Sequence, residues 1–141
     1  MPSPLKVRDV MTPNPVTISP AETLMDARQL MRMRKIRRIP VVSGGVLVGL
    51  LAEGDLKRAE PSTLSSTEEE FAAVMEGTQV NRIMIENLIT ASPDMPLLDA
   101  ARTLHSNKYG ALPVLEDGKL VGILTDNDLL GALVKVLEGE A

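Results

Sequence analysis

The stretch V-M-T-P-N-P-V-T-I-S-P at 10–20 returns as I-M-I-E-N-L-I-T-A-S-P at 83–93, and G-V-L-V-G-L-L-A-E-G-D-L at 45–56 returns as G-K-L-V-G-I-L-T-D-N-D-L at 118–129. Met11 and Met84, Pro20 and Pro93, Pro40 and Pro113, Gly49 and Gly122, and Asp55 and Asp128 all stand 73 positions apart. A register held across half a chain marks a tandem duplication, and repeats of this kind bury their apolar faces by stacking. In a chain of 141 residues each copy is small enough to be marginal alone, so a core shared between the copies is expected.

Composition narrows the chemistry. Hydrophobic residues make up 44% of the chain, but the aromatics are only Phe71 and Tyr109, which leaves the core to aliphatic side chains and eight methionines. Base stacking on aromatic platforms is thereby excluded as a binding strategy. The absence of cysteine removes disulfides, thiol catalysis and cysteine-held metals, and the single histidine, His105, argues against a histidine-held metal. No apolar run approaches the ~18 residues of a membrane span, and no secretory h-region opens the chain, so a cytoplasmic protein is expected.

Both copies parse by the same local rules. In the first, the β-branched V-T-I at 16–18 predicts a strand. Ser19 or Thr23 can cap a helix starting near Ala21, with Leu24, Ala27, Leu30, Met31 and Arg34 at helical spacing. A hairpin follows from 39–42 through Gly44-Gly45 to 46–51, and then a helix at 53–59. In the second copy the matching elements are a strand at 88–90, a helix at 97–106, a hairpin from 112–115 through Asp117-Gly118 to 120–124, and a helix at 126–137. Between the copies, Ser66-x-x-Glu69 and Thr67-x-x-Glu70 are both capping-box patterns, predicting a short helix that ends at Gly77.

The order strand, helix, hairpin, helix, with V-M-T at its head, I-R-R-I-P-V-V and Y-G-A-L-P-V-L before the hairpins and G-I-L-T-D-N-D-L after the second, resembles a tandem pair of CBS domains. The linker and the M-T-P-N-P-V-T-I-S-P opening are similar to the acetoin-utilisation regulatory branch of that family, without the further C-terminal domain its members often carry. The resemblance implies an α/β (α+β) fold of two β-α-β-β-α repeats, 7–60 and 80–134, joined by a linker at 61–79. It further implies packing about a pseudo-two-fold axis, clefts between the repeats, and association into a homodimer. The ligands it implies are adenosine-containing: AMP, ADP, ATP or S-adenosylmethionine, with no cofactor required and a regulated protein partner still to be identified.

The residues themselves say how such a ligand can be held. Asp128, three positions after Thr125, can accept both hydroxyl hydrogens of a ribose diol, with Thr125 adding a hydroxyl; the same position also suits a helix cap. Gly110 and Ala111, ahead of Pro113, leave room for backbone groups to read an adenine edge. Tyr109 can either cover the base or pack in the core with its hydroxyl at the surface. By family position Thr90 borders the same cleft, and Thr17 and Asp55 are the first copy's counterparts of Thr90 and Asp128. Where the second copy has Thr125, the first has Ala52, so unequal clefts are expected.

Net charge is −4, yet Arg28, Arg32, Arg34, Lys35, Arg37 and Arg38 form a basic run without an acid. The resemblance implies that Arg37 and Arg38 meet phosphates, a task their planar forks suit; the alternative is two solvated arginines beside a strand. Three function classes follow: a nucleotide-responsive regulatory module, favoured; a constitutive dimerisation or docking module without a nucleotide; and a nucleic-acid binder, disfavoured by acidity and missing aromatics. No nucleophile and base pair emerges to suggest an enzyme.

Overall fold

A computed structural model describes residues 5–107 and 110–139 of the chain, leaving Lys108 and Tyr109 outside the described residues. It falls into two compact units that do not follow the sequence boundaries of the repeats: unit 1 is Met1–Pro15 with Ile89–Ala141, and unit 2 is Val16–Leu88.

Unit 2 is built on an antiparallel hairpin of β2 (Arg38–Ser43) and β3 (Val46–Ala52). Gly44 and Gly45 turn it with φ of 57° and 81°, the paired positive values of a tight two-residue turn that suits strand twist. The pairing shifts after Val41↔Gly49, so that Val48 is an extra, bulged residue. Against the hairpin lies α2 (Leu24–Arg34), whose Leu24, Ala27 and Met31 are buried as their spacing predicts. Thr23, rather than Ser19, caps it: the Thr23 hydroxyl accepts from Asp26 N–H, and the Asp26 carboxylate accepts from Thr23 N–H at 3.0 Å. The turn 19–22 therefore precedes the helix instead of belonging to it. The helices α3 (Glu53–Ala59) and α4 (Glu68–Gly77) complete the unit, the latter capped by Thr67 and Glu70 and laying Met75 into the core.

Unit 1 repeats the plan: α5 (Leu97–Ser106), β4 (Ala111–Glu116), a turn at Asp117 (φ 52°) and Gly118 (φ 77°), β5 (Lys119–Thr125) and α6 (Asp126–Leu137). Its bulge falls at Val121, 73 positions after Val48. The chain's opening adds a short helix, α1 (Val7–Val10), and a two-residue strand, β1 (Thr12–Pro13), which pairs antiparallel with β5. In unit 2 the corresponding place beside β3 is taken by Ile85, which exchanges two backbone hydrogen bonds with Leu50 at 2.8 and 2.9 Å. Each hairpin is thus flanked by the opening segment of the other repeat, the V-M-T stretch on unit 1 and the I-M-I stretch on unit 2.

Two expectations are corrected. The predicted strand at 16–18 reduces to a single parallel bridge, Ile18↔Val41, and the one predicted at 88–90 is not formed, the corresponding bridge falling just after it at Ala91↔Val114. Prolines at 13, 15 and 20 withhold backbone donors around the first of them, and Pro93 does so near the second. Instead of one expected core, the described residues form a cluster within each unit: Leu24, Ile39, Val41, Leu51 and Met75 in unit 2, and Val7, Ala100, Leu112, Val114 and Leu124 in unit 1. The exchanged segments account for this, since Val7 joins one cluster and Val80 the other.

Candidate functional site

In unit 1 the expected ligand-binding residues gather at the open end of the hairpin. Ala111 pairs with Thr125 across the strands, Gly110 C=O accepts from Asp126 N–H at 2.9 Å, and Pro113 C=O accepts from Ala91 N–H at 2.9 Å, which sets Thr90 beside β4. Gly110 has φ of 69°, a left-handed conformation that its counterpart Arg37 does not adopt. Tyr109 lies outside the described residues.

Thr125 and Asp128 form a reciprocal cap at the head of α6. Asp128 N–H donates to the Thr125 hydroxyl oxygen at 3.2 Å, and Asp128 Oδ2 accepts from Thr125 N–H at 2.9 Å. The cap therefore exists, but it occupies only one carboxylate oxygen. The other, Oδ1, accepts from the Thr12 hydroxyl at 3.0 Å, a contact spanning 116 positions. Both residues of the cap are half-buried. Each carboxylate oxygen offers about two lone-pair directions, so this carboxylate is oriented by two donors and still able to accept two more. It borders a cavity of about 500 Å3 lined by Asp9, Val10, Asn127, Gly131 and Lys135 among others. Thr12 escapes a local reading of the sequence. The one signal for it lies in the repeat comparison, where its counterpart is Ile85, without a hydroxyl.

Unit 2 places Thr17, Arg37, Arg38 and Asp55 at equivalent positions, but with different chemistry. Ile18, next to Thr17, bonds to Pro40 C=O; Arg38 pairs with Ala52; and Arg37 C=O accepts from Glu53 N–H at 2.8 Å. Ala52 supplies no side-chain cap to α3, and the Asp55 carboxylate accepts from the Arg58 guanidinium instead of from a threonine. The basic run is partly engaged as well: Arg28 pairs with Glu60 at 3.2 Å and lies over the Phe71 ring at 5.4 Å. Lys35 ends α2 in the left-handed conformation, with φ of 54°.

The opening segment is held to unit 1 by an exposed ion pair, Arg8 Nη2 to Asp94 Oδ1 at 2.6 Å. This hydrogen bond, with the arginine's charge, holds the Asp94 carboxyl below its ordinary range and raises Arg8. Among the described residues no group of acidic or histidine side chains could hold a metal, and no helix is long and apolar enough to cross a membrane.

Two α/β units, each a bulged hairpin between helices and each finished by a segment from its sister repeat, define a tandem-repeat architecture. The chain belongs to the CBS-domain family, whose model matches residues 7–62 and 80–135. It is 32% identical over 123 residues to the CBS domain-containing protein YhcV of Bacillus subtilis, an alignment covering 87% of this chain and 81% of that one. Among solved structures it is similar to the acetoin utilisation protein AcuB of Vibrio cholerae, with TM-score 0.80, 31% identity, and coverage of 96% of this chain and 95% of that one. CBSX2, a CBS-pair protein of Arabidopsis thaliana, has been solved in complex with AMP; it shares 30% identity at TM-score 0.76 over 93% of this chain and 97% of its own. CBS domains are regulatory ligand-binding modules rather than catalysts.

Proposed function

We propose that this chain is a ligand-sensing module that binds an adenosine-containing ligand, with Asp128 reading the ribose diol. The carrying observation is the Asp128 carboxylate, pinned by Thr12 and by Thr125 N–H with acceptor capacity to spare, beside a cavity large enough for a nucleoside. The AMP complex of CBSX2 supports the same ligand class. Thr125 adds a hydroxyl, Thr90, Gly110, Ala111 and Pro113 border the base, Tyr109 covers it, and Arg37 and Arg38 take the phosphate role. The ligand acts by favouring one of two conformations, to the extent that it binds them differently. The module works in the cytoplasm as a homodimer that answers to a regulated protein, its repeats bounded at 7–60 and 80–134.

Calorimetric titration with AMP, ATP and S-adenosylmethionine tests this. Saturable binding by at least one of them, lost in Asp128→Ala, is expected. No binding at millimolar ligand defeats the sensing role, while unchanged binding in Asp128→Ala defeats the ribose assignment alone.

Unit 2 favours the second reading, a docking role without nucleotide. Its Asp55 is tied to Arg58 and lacks a capping threonine, so we assign Thr17 and Asp55 to the weaker of two candidate sites.

A further inference from the structure

With no cysteine in the chain, its eight methionines are the side chains that peroxides attack most readily. Three of them stand at the extremes of access: Met31 and Met75 are buried, at 5% and 0% exposure, and Met33 on α2 is 79% exposed. Met11 lies between. It is half-buried beside the exposed Thr12, with its sulfur and terminal methyl set against the buried backbone of Gly122 in β5. A small reagent reaches such a sulfur, and its conversion there disturbs a packed contact.

A sulfoxide is bulkier and far more polar than a thioether. On the glycine side there is no room for the added oxygen, because the sulfur already fills the space that a side chain at 122 would take. Neighbouring amides offer no donor either: Met11 N–H donates to Val7 C=O at 2.9 Å, and Asn14 N–H donates to Val121 C=O at 3.1 Å. The new oxygen therefore finds its hydrogen bonds only by turning into water, which uncovers Gly122.

We infer that Met11 is a sulfoxidation site, and that its oxidation by a hydroperoxide lifts β1 from β5 and slackens the hold of Thr12 on Asp128. A sulfur lone pair attacks one peroxide oxygen; the S–O bond forms as the O–O bond breaks, and the departing oxygen takes the proton and leaves as water or an alcohol. Sulfur gives up the two electrons that the peroxide gains. A pair of thiols reverses the step, removing the oxygen as water and ending as a disulfide. Met84 lies on Gly49 in unit 2 in the same way, but the residue after it is Ile85, without a hydroxyl, where Thr12 follows Met11. The equivalent carboxylate, Asp55, accepts from Arg58. Oxidation is thus read at one carboxylate of the two. Its effect on ligand rests on the reading of Asp128 as the ribose contact, whereas the lifting of β1 does not.

The folded chain is treated with hydrogen peroxide, and peptide mass spectrometry follows each methionine. Met33 is expected to convert first and Met11 well ahead of Met31 and Met75. Hydrogen exchange at Asn14 N–H is expected to quicken about tenfold as Met11 converts, and to stay unchanged in Met11→Leu treated alike, a substitution that nearly conserves volume. Calorimetry is expected to show affinity for the adenosyl ligand falling about tenfold in oxidised wild type and oxidised Met84→Leu, holding in oxidised Met11→Leu, and recovering with methionine sulfoxide reductase and a dithiol. Met11 still reduced once Met33 has fully converted, or Asn14 exchange indifferent to the Met11 sulfoxide, overturns the inference. Faster exchange with affinity unchanged overturns the link to Asp128. If reduced wild type binds no adenosyl ligand, the ribose reading fails, and the Asn14 exchange rate alone decides whether Met11 oxidation lifts β1.

Discussion

Met11 closes over Gly122: a Cβ on that glycine would lie 2.5 Å from the Met11 sulfur and 3.1 Å from the Thr12 carbonyl oxygen. Met84 and Gly49 repeat the arrangement at 2.6 Å from sulfur and 3.2 Å from the Ile85 carbonyl oxygen. The methionines that head each echo are therefore lids on the other repeat's hairpin, placed where the bulge and the missing side chain admit them. A methionine can swing aside, but the backbone carbonyl cannot. Gly122→Ala and Gly49→Ala are each expected to destabilise the fold by about 1–3 kcal/mol in urea denaturation. Gly77→Ala, where a Cβ meets nothing within 4 Å, is expected to leave stability unchanged or slightly raised.

The two repeats differ at the cap of the helix after the hairpin, and exchanging that residue should move stability in opposite directions. Thr125→Ala removes the acceptor for Asp128 N–H and is expected to cost about 1 kcal/mol. Ala52 already has the extended backbone of a capping residue, with φ of −102° and ψ of 146°, so Ala52→Thr is expected to add about 0.5–1 kcal/mol. Thermal denaturation of the two variants checks both signs.

Thr12→Val keeps the shape of the β1 residue and removes the hydroxyl that holds Asp128 Oδ1. A carboxylate with one orienting donor gone loses its aim without losing its charge. Affinity for the adenosyl ligand is expected to fall about tenfold by calorimetry, with little change in melting temperature, because Thr12 is exposed. An unchanged affinity would detach Thr12 from the binding role.

The tie between Arg8 and Asp94 should respond to acid. Because the folded carboxyl titrates below its ordinary value of 3.8, the contribution is fully present above that value and is lost as pH falls through the lowered one. NMR titration of the Asp94 carboxyl carbon is expected to show a midpoint below 3.8, returning toward it in Arg8→Ala. A midpoint indifferent to Arg8 would mean that the pair is not held in solution.

The helices 53–59, 97–106 and 126–137 were legible from the order of elements that the two copies share. The strands foreseen at 16–18 and 88–90 were not realised as such: β-branched residues favour extended backbone, but pairing needs a ladder partner and free donors, which local composition does not report. The lid role of Met11 and the bond from Thr12 to Asp128 depend on a contact across most of the chain, beyond the reach of any periodicity. Asp128 and Thr125 could be picked out because cap and ligand reader share one short pattern. Their third partner became visible only once β1 was found beside β5.

Exchange of the opening segments bears on how such chains can be recombined. A crossover at the linker, the natural seam on paper, would hand each hairpin a lid from a stranger and mismatch methionine to glycine in both units at once. Keeping 1–15 with 89–141 preserves every such pairing, although it means transplanting two pieces of chain together. The duplicated stretch of sequence and the compact unit are thus different stretches of the same polypeptide.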